Sequence, residues 1–274
     1  MVYDGLYLFF DNYRYFKMWL PSFKQKSVNN IERPRFEVLH IWDRIDPTKY
    51  WGTCIVETIY RSSVRDNYPH LTVDKLSTEE IEIIISRIDE KPKKQVSFKA
   101  WYSKHYPIST GGEYSAAVCI TGRDLCIRDS EYRGHRIGTW AMSEIIKWVK
   151  QWPDAYVLPI LISDTDAYKE NKKRRDFIYK NIGVEFNYSN DNKTSGLSYP
   201  LLVSELNVIN SWDKKSDKHG NIITEPFTDF LNGLINDKKV LTKENEELHS
   251  LNEKLESQNH STMIKKIIDR LRRF

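Results

Sequence analysis

The amino-acid sequence predicts a mixed α/β fold that is followed by a long C-terminal helix. Apolar segments of strand length alternate with amphipathic segments of helical period, which is typical of a sheet covered by helices. In the middle of the chain, an apolar segment leads through a glycine-containing turn into a helix, over residues 125–152. Near the C-terminus leucine recurs every seven residues, as in a coiled coil. We therefore expect an α/β domain with a coiled-coil extension.

The composition is that of a globular protein. The chain has 274 residues, of which 40% are hydrophobic and 29% are charged, and its formal net charge is +4. Because basic and acidic residues are interleaved, this small excess does not by itself indicate a nucleic-acid-binding protein. The three cysteines show neither Cys-x-x-Cys spacing nor an even count. We expect them to be buried small side chains in a reducing compartment, and we expect no metal site.

The N-terminal segment is rich in aromatic residues, with nine of them within positions 1–23. We interpret this cluster as a core or subunit contact rather than a platform on which a ligand stacks. Charged residues interrupt its apolar stretch, so it resembles neither a secretion signal nor a membrane span. We expect a cytoplasmic protein without a membrane span.

Residues 1–94 form the N-terminal part of the expected domain. A strand is predicted at 36–45, and the segment 54–60 is compatible with a strand or a helix. Ser77 and Glu80 have the spacing of a capping box, which predicts the start of a helix. Isoleucines at positions 81, 84, 85 and 88 then form one helical face, and Pro92 ends the predicted helix.

Residues 95–210 form the core of the expected domain, in which strands and helices alternate. The predicted strands lie at 95–103, 115–120, 123–128, 156–163, 184–188 and 198–206. The predicted helices lie at 137–152 and 169–181. Pro159 is unusual inside a strand, since proline lacks the backbone donor of a ladder.

The C-terminal part is predicted to be a polar linker over 211–223 and a coiled-coil helix over 224–274. Leucines 234, 241, 248 and 255 occupy one position of the heptad, and asparagines 245, 252 and 259 occupy the other. Leucine at d with asparagine at a is typical of a parallel coiled coil, so we expect a homo-oligomer, a dimer or a trimer. The basic tail is interpreted either as a solvated helix end or as a nucleic-acid or membrane-surface contact.

The segment Leu125–Thr139 has the features of an anion-binding site. A strand that leads through a glycine-containing turn into a helix leaves backbone N–H groups unpaired at the positive end of the helix dipole. No GxxxxGK[ST] motif occurs, and Gly134 and Gly138 lack the spacing of a dinucleotide fingerprint. The alternative is a plain strand–turn–helix whose glycines serve only the turn.

Two segments of the chain carry a family resemblance. The sequence Tyr132–Thr139 (YRGHRIGT) is similar to the acyl-CoA-binding loop of the GNAT N-acetyltransferase superfamily, whose pattern is Arg/Gln-x-x-Gly-x-Gly/Ala. The sequence Phe177–Val184 (FIYKNIGV) resembles that family's second segment, a helix that ends in Tyr-x-x-x-Gly-aromatic. Both segments occur in the family's order, with a buried strand between them. The resemblance covers about residues 95–206 and implies a GNAT-like fold.

The resemblance implies a role for each candidate residue. Acetyl-CoA would be the acyl donor, with its pyrophosphate bound by backbone amides of Arg133, Gly134, His135, Arg136, Ile137, Gly138 and Thr139. Main-chain groups at Leu125, Cys126 and Ile127 would pair with its pantetheine arm. Tyr179 would protonate the leaving thiolate, although it is also interpretable as a partly buried helix tyrosine. Asp124, with Glu113 or a water chain behind it, is the candidate general base, or else a turn carboxylate beside Arg123.

Three residues depart from the family pattern. Arg136 stands where the first glycine of the Gly-x-Gly pair is expected. Its amide still donates if its dihedral angles suit a residue other than glycine; otherwise its bulk blocks the site. Val184 replaces the usual aromatic residue, and Arg175 lies where a small residue is common.

From these features we expect an acetyl-CoA-dependent N-acetyltransferase that transfers the acyl group directly to an amine-bearing acceptor. The sequence shows no Cys–His pair that would activate a thiol nucleophile, which argues against a covalent acyl-enzyme intermediate. The basic segment 169–175 and the acidic residues Glu57 and Asp124 lead to opposite expectations about the charge of the acceptor. The alternative is a non-catalytic scaffold that binds nucleic acid or protein through its coiled coil and basic tail.

Overall fold

The computed structural model describes residues 35–66, 75–89, 95–107, 114–121, 130–167 and 170–272. Some sequence-based expectations concern residues outside these ranges, and for them the structure provides no test. They are the aromatic cluster at 1–23, Glu113, the strand at 123–128 and the candidates Asp124, Leu125, Cys126 and Ile127.

A large mixed sheet is the centre of the fold. Its first five strands form an antiparallel meander in which each strand pairs with the next along the chain. They are β1 (Arg35–Trp42), β2 (Tyr50–Asp66), β3 (Lys75–Arg87), β4 (Gln95–Pro107) and β5 (Tyr114–Cys119). The predicted strands at 36–45, 95–103 and 115–120 are thus confirmed, and the ambiguous segment 54–60 is a strand. The mixed α/β class is confirmed as well.

The helix predicted from the Ser77–Glu80 capping box is wrong, because this segment is β3. Residues Ile81, Ile83 and Ile85 are buried, with at most 1% of their surface exposed, so the apolar face has a period of two. Glu82 on the opposite face forms ion pairs with residues of both adjacent strands, Arg61 and Lys99. A run of isoleucines is compatible with the apolar period of a helix and with that of a strand. Their β-branched side chains favour the strand.

Helix α1 (Ile137–Val149) packs against one face of this sheet. Its buried apolar residues are Ile137, Trp140, Ala141, Met142, Ile145, Ile146 and Val149. The predicted helix at 137–152 is thus confirmed, although it ends three residues earlier than predicted, at Val149 rather than Trp152.

The segment predicted as one strand at 156–163 is divided between two sheets. Its first part, β6 (Tyr156–Val157), pairs in parallel with β5. Its second part, β7 (Leu161–Ile162), belongs to a separate three-stranded sheet. Between them, the N–H of Ile160 donates to the hydroxyl of Ser198 at 2.9 Å, and its carbonyl accepts from the N–H of Ser198 at 3.0 Å. Both backbone groups of Ile160 are therefore bonded away from β5.

The rest of the domain completes both sheets. The basic helix is confirmed as α2 (Asn171–Asn181). It is followed by β8 (Phe186–Tyr188) and β9 (Gly196–Ser198), which form the small sheet with β7 in the order β7–β9–β8. The strand predicted at 198–206 is interrupted, since only β10 (Leu201–Leu202) pairs with β6 and a 3-10 turn follows at Val203–Glu205.

The C-terminal part begins with residues that belong to the first unit. In the segment predicted as a polar linker, Trp212 is buried and Ile222 is completely buried. The strand β11 (Ile222–Pro226) lies next to β1 at the edge of the large sheet. The chain divides into two compact units, Met1–Thr224 and Glu225–Phe274.

The second unit consists of the predicted long helix, α3 (Phe227–Leu271), which has 45 residues. No described helix of the chain combines the length and the apolar character that are needed to cross a bilayer.

Candidate functional site

A cavity of about 910 Å³ lies between the turn that precedes α1 and the inner side of α2. The end of β5 and the start of β7 form its floor, and the turn after β1 contributes to its rim. Its size is within the range of about 300–1,000 Å³ that is typical of small-molecule sites. The cavity is therefore large enough for a cofactor-sized ligand.

The floor of the cavity results from the separation of β5 and β7. Parallel pairing of β5 and β6 joins Ala117 to Tyr156 and Val118 to Val157, and the N–H of Leu158 donates to the carbonyl of Val118 at 2.8 Å. Beyond this bond the chain turns to the small sheet. Cys119 on one side and Leu161 on the other then line the cavity.

The turn before α1 contains the candidate anion-binding loop, Arg133–Thr139. Gly134 has φ +90°, a value that favours glycine, and Arg136 lies in the left-handed region with φ 60° and ψ 11°. The first intrahelical bond runs from the N–H of Trp140 to the carbonyl of Arg136 at 2.9 Å. The amides of Ile137, Gly138 and Thr139 precede this bond and lie at the positive end of the helix dipole. They are therefore positioned to donate to an anion.

Arg136 has a left-handed backbone conformation, which favours glycine. Its guanidinium donates through Nη1 to the backbone carbonyl of Ser211, which orients the side chain toward that segment. Burial lowers the pKa of Arg136, and the nearby Arg44 lowers it further. Arg136 is among the residues that line the cavity.

His135 differs from the other candidate residues of this loop, because it does not line the cavity. Its ring stacks on Trp51 with 4.3 Å between the ring centroids, and Arg87 lies over the indole of Trp51 at 4.3 Å from its centroid. Burial lowers the pKa of His135, and this favours the uncharged ring at neutral pH. Only the backbone of His135 remains available to the site.

Two further side chains hold the loop in place, and neither is among the candidate residues expected from the sequence. The hydroxyl of Tyr132 accepts a hydrogen bond from the N–H of Arg87 at 3.1 Å. The side-chain amide of Asn221 donates to the carbonyl of Trp42 at 3.0 Å and to the carbonyl of His135 at 3.2 Å. Asn221 is 179 positions from Trp42 along the chain, so no local pattern indicates this contact.

Tyr179 lies on the wall of the cavity that α2 forms. It is buried, with 8% of its surface exposed, and it packs edge-on against Phe186 with 5.2 Å between the ring centroids. Tyr179 and the residues of the loop Arg133–Thr139 other than His135 thus line one cavity.

Arg175, one helical turn before Tyr179, anchors α2. Its guanidinium donates through Nη1 to the carbonyls of Ser163 and Thr194, at 3.4 and 3.2 Å, and it forms an ion pair with Asp176. Arg175 therefore connects α2 to the β7 side of the cavity.

The cavity has an excess of positive charge. Among the described residues that line it, six are cationic and one, Glu170, is acidic. The cations are Arg44, Arg133, Arg136, Lys173, Arg174 and Arg175. An excess of this kind attracts a polyanionic ligand.

The floor of the cavity also contains a thiol, at Cys119. Burial raises the pKa of the Cys119 thiol, which disfavours the thiolate that a nucleophile requires. Glu57 follows the buried Val56 on β2 and points to the opposite face of the sheet from it. It is therefore not among the residues that line the cavity.

Comparisons of the chain with protein-family models, with curated proteins and with solved structures gave no match. The geometry of the cavity is therefore the basis on which a function is assigned.

Proposed function

We propose that the chain is an acetyl-CoA-dependent N-acetyltransferase with a GNAT-like domain. One observation supports this proposal above the others: Tyr179 and the residues of the loop Arg133–Thr139 other than His135 line the same cavity. They are about forty residues apart in the sequence, and nothing in simple strand–turn–helix geometry requires them to meet. An enzyme that uses acyl-CoA needs both features. The amides of the loop bind the anionic pyrophosphate, and an acid such as Tyr179 protonates the thiolate that departs from the acyl group.

The proposed chemistry assigns a separate task to each wall of the cavity. The amides at the start of α1 bind the pyrophosphate of the donor, assisted by the surrounding cations. The acceptor amine, once deprotonated, attacks the thioester carbonyl, and the hydroxyl of Tyr179 gives its proton to the departing sulfur. The raised pKa of Cys119 agrees with direct transfer rather than an acyl-cysteine intermediate.

The proposal leaves the general base with Asp124, which lies outside the described residues. The proposal specifies an amine acceptor but not the charge of its other groups. The cations of the cavity are assigned to the phosphates of the donor, so they do not indicate the charge of the acceptor.

Isothermal titration of the full chain with acetyl-CoA and with desulfo-CoA tests the proposal. We expect both to bind with one molecule per chain, because the phosphates and the pantetheine arm are common to them. Absence of binding of either compound at high protein concentration would overturn the enzyme proposal.

We further propose that the chain forms a parallel homo-oligomer through α3. Leucines 234, 241, 248 and 255, one in each heptad, are between 46% and 59% exposed in the single chain. A continuous exposed apolar stripe of this kind is typical of an interaction surface. The asparagines at 245, 252 and 259 lie on the same seam, and buried amides there set the register at a cost in stability.

The competing function, a nucleic-acid-binding scaffold, would use the basic tail instead. It predicts an affinity for DNA or RNA that falls with rising salt concentration and is lost when residues 260–274 are deleted. Such a result together with no CoA binding would replace the enzyme proposal.

A further inference from the structure

The cations on the α2 wall of the cavity are not equivalent. Lys173 is paired with Glu170, with 3.2 Å between Nζ and Oε1. Arg175 is paired with Asp176 and bonded to two backbone carbonyls. Arg174 lies between these two residues and is half-buried. Its guanidinium has no acceptor and no carboxylate partner among the residues that the structure describes.

Arg174 also lies close to the anion-binding loop. A Cβ atom placed on Gly134 would be 3.9 Å from Nη1 of Arg174. The guanidinium therefore faces the turn that precedes α1, across the space that both walls enclose. The unpaired amides of α1 are on one side of this space, and the unpaired guanidinium is on the other.

This arrangement suits a phosphate group. The planar guanidinium forms two parallel hydrogen bonds to a phosphate, and such charge-assisted bonds are stronger than neutral ones. Backbone amides at a helix N-terminus bind a phosphate from a single direction. A guanidinium on the opposite side would complete the coordination, and it would gain the partner that it lacks in the free protein.

We propose that Arg174 is a second binding element for phosphate, which contacts a phosphate group of the donor nucleotide from the side opposite to the α1 amides. This inference rests on the proposed function for the identity of the ligand. The phosphate concerned belongs either to the diphosphate or to the ribose 3′-phosphate of CoA, since both present the same chemistry to a guanidinium.

The test compares the full-length protein with Arg174→Gln and with a matched control, Lys180→Gln. Lys180 is on the same helix and is exposed, and it does not line the cavity. Both substitutions remove one positive charge, so they control for the general field of the protein. Titration calorimetry at constant ionic strength would measure the Kd of CoA, of 3′-dephospho-CoA and of inorganic pyrophosphate. Thermal unfolding of each variant checks that the fold is retained.

We expect Arg174→Gln to weaken CoA binding at least about tenfold and the control to change it less than about twofold. An equal loss for 3′-dephospho-CoA would assign the contact to the diphosphate. A loss seen with CoA alone would assign it to the 3′-phosphate. Arg174→Lys, which keeps the charge but not the planar fork, should lie between the wild type and Arg174→Gln.

Equal Kd values for CoA in Arg174→Gln and in the control would overturn the proposal, whether both variants bind as the wild type does or both are weakened to the same extent. Failure of the proposed function would look different. In that case the wild type would not bind CoA, whereas binding of inorganic pyrophosphate that depends on Arg174 would still support the phosphate site.

Discussion

The side-chain amide of Asn221 donates a hydrogen bond to the backbone carbonyl of His135 at 3.2 Å, and it bonds the carbonyl of Trp42 with its second hydrogen. One buried side chain thus joins the anion-binding loop to the end of β1. The conformation of the loop depends on a residue that lies 86 positions away in the sequence.

Asn221→Ala should therefore destabilise the protein and loosen the loop. Two backbone carbonyls lose a donor in a buried region, which costs about 2 kcal/mol in the free energy of unfolding. Urea unfolding measures this loss, and CoA titration should show weaker binding as well. Asn192→Ala, in an exposed loop, is the control and should leave both quantities unchanged. Equal unfolding midpoints for the two variants would contradict the structural role of Asn221.

Gly134→Ala should destabilise the chain through its backbone, not through steric contact. The φ of Gly134 is +90°, and a Cβ there would meet no atom closer than 3.9 Å. A residue with a Cβ is strained in this conformation by about 1–2 kcal/mol. Urea unfolding checks this value, and an unchanged midpoint would show that the loop relaxes without cost.

Arg136→Gly should leave the stability nearly unchanged, because two effects of opposite sign offset each other. The glycine relieves the left-handed strain of Arg136 at φ 60°, but the variant loses the hydrogen bond to Ser211. Each term is about 1 kcal/mol, so we expect the stability to stay within about 1 kcal/mol of the wild type. CoA binding should be retained, because the backbone amides bind the anion. Complete loss of binding would show that the guanidinium, not the backbone, is essential.

Tyr179→Phe should lower kcat about a hundredfold, because a proton donor for the leaving thiolate is removed. The Kd of acetyl-CoA should change little, since the aromatic ring still packs against Phe186. Steady-state kinetics with an amine acceptor and calorimetry separate the two effects. Tyr188→Phe is the matched control, because Tyr188 packs against the same Phe186 but does not line the cavity. An unchanged kcat for Tyr179→Phe would remove the assigned role.

The stability of the protein should fall in mildly acidic solution because of His135. Its pKa in the folded state is lower than the ordinary value of 6.5, so the unfolded chain binds the proton more readily. The contribution of His135 to the free energy of unfolding is complete above about pH 6.5. It is lost as the pH falls toward the pKa of the folded state. His135→Phe keeps an aromatic ring on Trp51 and cannot titrate. Its free energy of unfolding should depend less on pH below 6.5 than that of the wild type, and parallel profiles would contradict this assignment.

Leu248→Asp should dissociate the proposed oligomer, because a carboxylate on the seam of the coil loses its hydration on association. Sedimentation equilibrium should give a smaller mass for this variant than for the wild type. Ser250→Asp places the same charge on α3 two residues later, away from the leucine stripe, and should have no effect. A wild-type chain that is monomeric at all concentrations would contradict the oligomer itself.

The sequence was sufficient to predict the class of the fold and most of its strands and helices. It failed at Ser77–Ile88, where an isoleucine-rich run satisfies the helical and the strand period at once. Pairing with β2 and β4, which depends on distant residues, decides between the two. The division of the segment 156–163 also depends on a distant partner, Ser198.

For the candidate site, the sequence indicated the loop and Tyr179 but not what positions them. The resemblance of two short motifs, in their order along the chain, indicated both. The left-handed conformation of Arg136 could not be predicted, because arginine rarely adopts it and residue type alone argues against it. The contacts of Asn221 and the stacking on Trp51 are set by tertiary structure and leave no local signal.

The bonding of Ile160 to Ser198 has a consequence for how this cavity tolerates change. The N–H of Ile160 bonds one hydroxyl and its carbonyl bonds one main-chain amide, and the candidate anion donors at the start of α1 are main-chain atoms too. A substitution in the cavity that leaves this backbone path unchanged should therefore leave the main-chain donors at the start of α1 in place.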